Sequence, residues 1–308
     1  MRKIFAIGET VYDVILKNGQ PQAAKPGGAM LNSCVSLGRI GLPVYFMSEY
    51  ADDNIGSLIN GFLSENGVDT SNVYHYRGGN TKLAMAFLDE KNNASYVFYE
   101  KYPAKRLDVD LPVIGPGDLL LCGSIYAITG AIRGKFLDMI DKAVGSGAIV
   151  IYDPNFRSSH RHELEKLKPL IIENMKMAGI VRGSDEDFRN IFGTCTPDEA
   201  WDVVSNYCDC LVYTASEEGV FVSTNGFKGE FPVKRITPVS TIGAGDNFNA
   251  GMMAALYINQ IQRSCIGTMG KDIWSGIISM GVDFATEVCM SYENYISVEF
   301  ASGIKGFR

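Results

Sequence analysis

Thr241-Ile242-Gly243-Ala244-Gly245-Asp246-Asn247-Phe248 joins a turn of small residues to an Ala-, Met- and Leu-rich run that continues through Tyr257. Gly243, Ala244 and Gly245 carry almost no side chain, so the backbone N–H groups of the turn can approach a ligand closely. The run that follows reads as a helix, and the unpaired amides of a helix N-terminus attract phosphate or a developing anion. Asp246 stands where such an anion would form and is placed to take the proton of an attacking hydroxyl. The stretch points to phosphoryl transfer to an alcohol. A Gly-x-Gly turn with an Asp in the first helical turn is also a common helix cap, so the surrounding chain has to decide.

Working outward, apolar strand-like runs alternate with helix-length patterns. Ile4–Ile7, Val44–Met47, Leu119–Cys122, Ala148–Tyr152 and Leu211–Thr214 are candidate core strands. Ala29–Gly38, Asn54–Asn66, Ala131–Val144, Asp185–Phe192 and Pro197–Asn206 are candidate helices. This alternation predicts an α/β fold with a mainly parallel sheet covered by helices on both faces, and ligands at the carboxyl ends of its strands. Two regions break the rhythm. Leu83–Leu88 and Ser95–Tyr99 alternate and join across Asp89–Ala94 as a hairpin, and Tyr12–Leu16 is a further extended piece. A second hairpin is predicted over Val220–Phe231, turning near Asn225-Gly226. A small β flap on an α/β core reads as a lid, which would exclude water from reactive phosphoryl groups.

Composition removes several function classes. The 308 residues are 46% hydrophobic and 20% charged with a net charge of −7, which fits a folded protein and argues against nucleic-acid or anionic-membrane partners. No apolar run reaches membrane-spanning length, and the apolar run after Met1-Arg2-Lys3 is too short for a signal segment, so the cytoplasm is the expected location. The seven cysteines form no C-x-x-C pair, and His75, His160 and His162 lie outside the glycine motifs. A zinc site and a Ser-His-Asp hydrolase are therefore poorly supported. No G-x-G-x-x-G follows the first strand, and Gly134-Lys135 is followed by Phe136 instead of Ser or Thr, which disfavours a nicotinamide oxidoreductase and a Walker-A ATPase.

Four more segments fall at strand ends or helix starts: Pro26-Gly27-Gly28-Ala29-Met30-Leu31-Asn32, Asp153-Pro154-Asn155-Phe156-Arg157, Gly183-Ser184-Asp185-Glu186-Asp187, and Thr214-Ala215-Ser216-Glu217-Glu218-Gly219-Val220. With Gly243–Asp246 and Phe248-Asn249-Ala250-Gly251, and with the Gly27–Gly41 segment ending in Leu37-Gly38-Arg39-Ile40-Gly41, the chain resembles the PfkB-type, ribokinase-like carbohydrate kinases. The likeness runs from Gly8-Glu9 to about Gly251 in family order.

The resemblance implies a single ribokinase-like kinase domain over residues 1–308, a three-layer sandwich with lid segments near 9–22 and 73–104. It implies ATP as phosphoryl donor with Mg²⁺. Asp246 matches the catalytic base, and Gly243, Ala244 and Gly245 match the anion hole. Asp13, Gly28 and Asn32 match contacts to sugar hydroxyls, and Arg157 looks like the arginine of fructokinase-type members near acceptor and phosphates. Thr214 and Gly219 match the strand and turn along the nucleotide, with Thr286 lining the adenine pocket. Ser184 and Asp187 match the motif that orders phosphate and Mg²⁺ through water. At its reference pKa of about 3.9, Asp246 would be ionised near neutral pH.

Departures qualify the carry-over. Family members often read Asp-Thr-Thr before the glycine turn, where this chain has Ser240-Thr241-Ile242, so one charge and one hydroxyl of the monovalent-cation site are missing and K⁺ activation is in doubt. Asn-x-x-Glu of the family is here Ser184-Asp185-Glu186-Asp187. Ala29 replaces the Lys of ribokinase-type members, and Gly8-Glu9 leads toward Asp13 as in fructokinases, which with Arg157 favours a hexose, most plausibly fructose. Ribose, 2-keto-3-deoxygluconate and nucleosides stay open as acceptors, and a homodimer through the β lid is a further expectation. The reading from another class is a catalytically silent sugar- or nucleotide-binding regulator; its mark would be loss of the base or anion hole, and both are intact.

Overall fold

The computed structural model describes residues 2–90 and 94–304. Along the chain, β1 (Ile4–Ile7) is followed by β2 (Val11–Lys17), β3 (Gln20–Gly27), α1 (Ala29–Arg39), β4 (Val44–Ala51) and α2 (Asn54–Glu65). Next come β5 (Val68–Asp69), β6 (Val73–Tyr76), β7 (Asn80–Leu88), β8 (Ala94–Lys101), β9 (Leu119–Gly123), α3 (Arg133–Ser146) and β10 (Ile149–Asp153). The rest is α4 (Leu164–Met177), β11 (Ile180–Ser184), α5 (Asp185–Phe192), α6 (Pro197–Val204), β12 (Cys210–Thr214), β13 (Val220–Thr224), β14 (Lys228–Phe231), α7 (Ala244–Ile258), α8 (Lys271–Cys289) and α9 (Val298–Ile304).

The large sheet runs β14-β13-β12-β11-β10-β9-β1-β4-β5, with β6 also paired to β4. It is parallel from β12 to β5, and β13 and β14 extend it antiparallel as the predicted hairpin. Its strands are apolar at nearly every position because both faces are covered. Ile4, Val44, Phe46, Leu119, Ile149 and Val212 pack toward α1, α2, α7 and α8, while Phe5, Ile7, Met47, Leu120, Val150 and Tyr213 pack toward α3–α6. Strand alternation thus sorts one sheet into two cores, and the three-layer α/β architecture follows. Among the described residues no helix is long and apolar enough to cross a membrane.

A second, four-stranded sheet has the order β3-β2-β7-β8. β2 pairs antiparallel with β3 and parallel with β7, and β7 pairs antiparallel with β8. The predicted turn over Asp89–Ala94 includes residues 91–93, which lie outside the described residues. Two boundaries differ from the sequence reading. Val73–Tyr76, inside the expected 73–104 segment, pairs with β4 of the large sheet, because Val73 and Tyr76 bury against that edge. The first extended segment, expected near 9–22, runs on to Gly27 through β3, whose Pro21 and Pro26 hid it; prolines are tolerated on such an edge strand.

Candidate active site

Gly243 caps α7 with φ 81°, the left-handed region that glycine reaches without strain. A Cβ there would stand 2.9 Å from the Asn294 carbonyl oxygen, so the turn is pressed against the loop after α8. Among the described residues no side chain caps this N-terminus, which leaves the first-turn amides for a ligand. Asn247 fastens the turn: its Nδ2 donates to the carbonyls of Gly243 and Asn294, both at 2.8 Å, and Ser36 Oγ donates to its Oδ1.

Asp246 is 8% exposed. Its Oδ2 accepts from Asn32 Nδ2 at 2.8 Å, and its carbonyl accepts from Ser33 Oγ at 2.7 Å. Asn32 and Ser33 lie on α1, so two helices more than 200 residues apart in sequence meet at the carboxylate. Burial pushes the Asp246 carboxyl up to about 6; the Asn32 bond opposes this, Asp153 adds to it, and Arg157 and Arg182 hold it down. The reference value used for the sequence reading is therefore too low, because burial dominates. Asp246 remains mostly ionised at neutral pH.

Gly28 caps α1 with φ 132°, and a Cβ there would lie 2.3 Å from the Glu9 carbonyl oxygen, so only glycine fits. Its neighbour Gly27 makes room for the Asp13 carboxylate, whose Oδ2 would lie 2.2 Å from an added Cβ. Asp13 stands opposite Lys25 in the β2–β3 register, and burial, only partly countered by Lys25, pushes it up to about 6. Register places Asp13, Ala84, Ala86, Tyr96 and Phe98 on one face of the small sheet. The Tyr96 hydroxyl is pushed up by burial and by Asp13 and is lowered by Arg157. Arg157, although exposed, therefore acts electrostatically on both Tyr96 and Asp246. Asn32 is bonded to Asp246, Arg157 is linked to Asp246 and Tyr96 by charge, and Asp13 is linked to Tyr96 in turn. Lys25 Nζ donates to the Tyr292 carbonyl, two residues from the Asn294 that backs the glycine turn.

On the other side, Ser184 caps α5 in a capping box with Asp187. Asp187 Oδ2 accepts from Ser184 N at 2.8 Å and Ser184 Oγ at 2.6 Å, and Oδ1 accepts from Phe156 N. The carboxylate locks the loop carrying Arg157 onto α5; burial and Asp153 push its pKa up. Thr214 Oγ1 accepts from Arg182 Nη2 at 2.9 Å. Gly219 has φ 119°, and a Cβ there would lie 2.8 Å from the Phe231 carbonyl oxygen. Thr286 sits on α8 one turn after Val282 and Asp283, which with Phe231, Val233 and Lys234 line a groove of about 240 Å³. Neither Gly219 nor Thr286 is hydrogen-bonded to the Asp246 group among the described residues.

The sequence reading quoted Asp153 and Asn249 within its motifs without giving either a role, and it did not single out Arg182. Asp153 Oδ2 accepts from Arg182 Nη1 at 2.9 Å and from Asn249 Nδ2 at 2.6 Å, and its Oδ1 accepts from Asn155 N at 3.0 Å. A lone arginine after Ile180-Val181 inside the buried strand Ile180–Ser184 was the available signal for Arg182.

The pfkB family of carbohydrate kinases matches residues 1–266. The chain belongs to this family. The PfkB-family kinase is 30% identical over 270 residues to a fructokinase of Rhizobium leguminosarum bv. trifolii, covering 84% of this chain and 81% of that one. It is 27% identical over 253 residues to probable fructokinase-4 of Arabidopsis thaliana, covering 80% and 78%. Aminoimidazole riboside kinase from Salmonella enterica, complexed with aminoimidazole riboside and an ATP analogue, superposes with a TM-score of 0.83 at 20% identity over 99% of both chains. Fructokinase from Vibrio cholerae O395, in its form bound to fructose, ADP and calcium, gives the same TM-score, identity and coverage. The kinase therefore has the ribokinase-like fold and is a carbohydrate phosphotransferase.

Proposed function

We propose that this kinase transfers the γ-phosphate of MgATP to a primary hydroxyl of fructose. The observation that carries the reading is Asp246: a buried carboxylate, held by Asn32, at the uncapped start of α7. Asp246 removes the hydroxyl proton as the oxygen attacks, and the amides of Gly243–Gly245 stabilise charge on the transferring group. Asp13 and Asn32 bind acceptor hydroxyls, and Gly28 lets the backbone approach them. Tyr96 and Phe98, stacked at 6.2 Å, offer the apolar face of the sugar a wall. Arg157 bridges the acceptor side and the phosphates.

Thr214 and Gly219 follow the nucleotide, and the groove beside Thr286 takes its base. Mg²⁺ bound with the triphosphate would neutralise part of its charge. Ser184 and Asp187, which fix the loop after β10 to α5, would order that ion and the phosphates through water. The relatives named fructokinase support fructose over the other sugars.

We infer as well a homodimer through the lid. Phe87, Val97 and Tyr99 share the lid face opposite Asp13 and are 41%, 43% and 55% exposed, an apolar surface suited to a second copy.

ADP release from MgATP with fructose, ribose, 2-keto-3-deoxygluconate and adenosine, with and without K⁺, tests the reading. Turnover with fructose and loss of it in Asp246→Asn support it. Binding of sugar and ATP with silence across the panel would favour a non-catalytic regulator. Equal rates with and without K⁺ would match the Ser240 and Ile242 replacements.

A further inference from the structure

Arg182 is 6% exposed in the middle of β11. A guanidinium is costly to desolvate, and a buried ion pair is seldom retained for stability alone. Its fork is divided: Nη1 donates to Asp153 Oδ2, Nη2 donates to Thr214 Oγ1, and the group lies 5.2 Å from the centre of the Phe248 ring on α7. Nε has no partner. The same Asp153 oxygen receives Asn249 Nδ2, so β10, β11 and the first turns of α7 converge on one atom. The guanidinium also reaches the glycine turn itself. A Cβ on Gly245 would stand 3.0 Å from Nη1 and 3.4 Å from Nη2.

From this juxtaposition we propose that Arg182 is a positioning residue for phosphoryl transfer: anchored by Asp153 and Thr214, it fixes the α7 N-terminus and places a permanent positive charge beneath the Gly243–Gly245 turn. The proposal rests on the kinase reading of that turn. A fixed charge that need not reorganise stabilises an anion as it develops and adds little to ground-state binding. Arg182 touches no reacting atom in this account and works through Gly245, Asp153 and Asn249. It also acts on Asp246, which faces Asn32 from α1, Asp153 from β10, Arg157 from the following loop and Arg182 from β11, and it is one of the two cations that favour the ionised base.

The test compares Arg182→Lys, which keeps the charge, with Arg182→Gln combined with Asp153→Asn, which removes the charge without leaving a buried carboxylate unpaired. Steady-state kinetics and thermal melting are measured on each, beside the parent enzyme. The double variant is expected to lose about 100-fold in kcat with KM for ATP and acceptor within about threefold, and Arg182→Lys to recover at least about tenfold of the loss. A folded double variant with kcat within about threefold of the parent overturns the proposal, as does a loss confined to KM. If the double variant does not fold, Thr214→Val decides by freeing one arm of the fork: lower kcat at unchanged KM supports the role, and unchanged kcat overturns it. A parent enzyme inactive with every acceptor would sink the kinase assignment of the site instead.

Discussion

In the proposed role of base, Asp246 has to be buried to meet the phosphoryl group in a dry site and ionised to accept a proton. Its carboxyl, raised to about 6, satisfies both at neutral pH. Asp246→Asn should lower kcat by about 100- to 10,000-fold, read as ADP release, because positioned bases contribute on that scale. The same change should stabilise the protein. A carboxyl whose folded pKa lies above its unfolded value favours the fold only while protonated, and that contribution is lost as pH rises through about 6. An amide can keep the Asn32 contact without desolvating a charge. The gain, up to about 2–3 kcal/mol, should be larger in melts near pH 8 than near pH 5. The identity of this aspartate is plain from the glycines that precede it. Its environment is not, because Asn32, Asp153 and Arg182 come from distant parts of the chain.

Helix α7 carries Asp246 and Asn249 to those groups, and its place depends on close approach to α8. A Cβ at Gly251 would lie 2.3 Å from the Met280 carbonyl oxygen and 2.8 Å from Gly281 Cα. Gly251→Ala should force the helices apart, cost about 1–3 kcal/mol or more in denaturant unfolding, and lower kcat by shifting the α7 N-terminus. Gly276, exposed on α8 with nothing near its missing Cβ, is the control. Gly276→Ala should stabilise by about 0.4–1 kcal/mol and leave kcat unchanged. Elements with a clear apolar period, such as β1 and α5, are legible in the sequence. β11 carries Arg182, α4 contains Pro169 and follows a charged stretch, and β3 has two prolines; tertiary partners decide these three against their local signals. Helix α8 falls in the region beyond Gly251, where the sequence motifs thin out, and its position is set by packing on α7.

In the whole molecule, the β7–β8 hairpin of the small sheet can be foreseen, but the parallel junction of β2 to β7 cannot, since nothing local specifies a pairing across some seventy residues. If two lids pair, sedimentation should show a dimer at micromolar concentration, and Val97→Asp with Tyr99→Asp should yield a monomer. A parent protein that stays monomeric would remove that proposal without touching the chemistry.

Asp13 and Asp246 have one further consequence together. One sits on β2 of the small sheet and the other in the first turn of α7, and burial brings both to about 6. If acceptor capture needs the first as an anion and proton removal needs the second, falling pH disables both at once. The acid side of log kcat/KM should then steepen toward a slope of about two, where a single base gives one. Throughput would fall as the square of acidity, which makes the enzyme a threshold device: nearly indifferent to pH above neutrality and abruptly silent in an acidified medium.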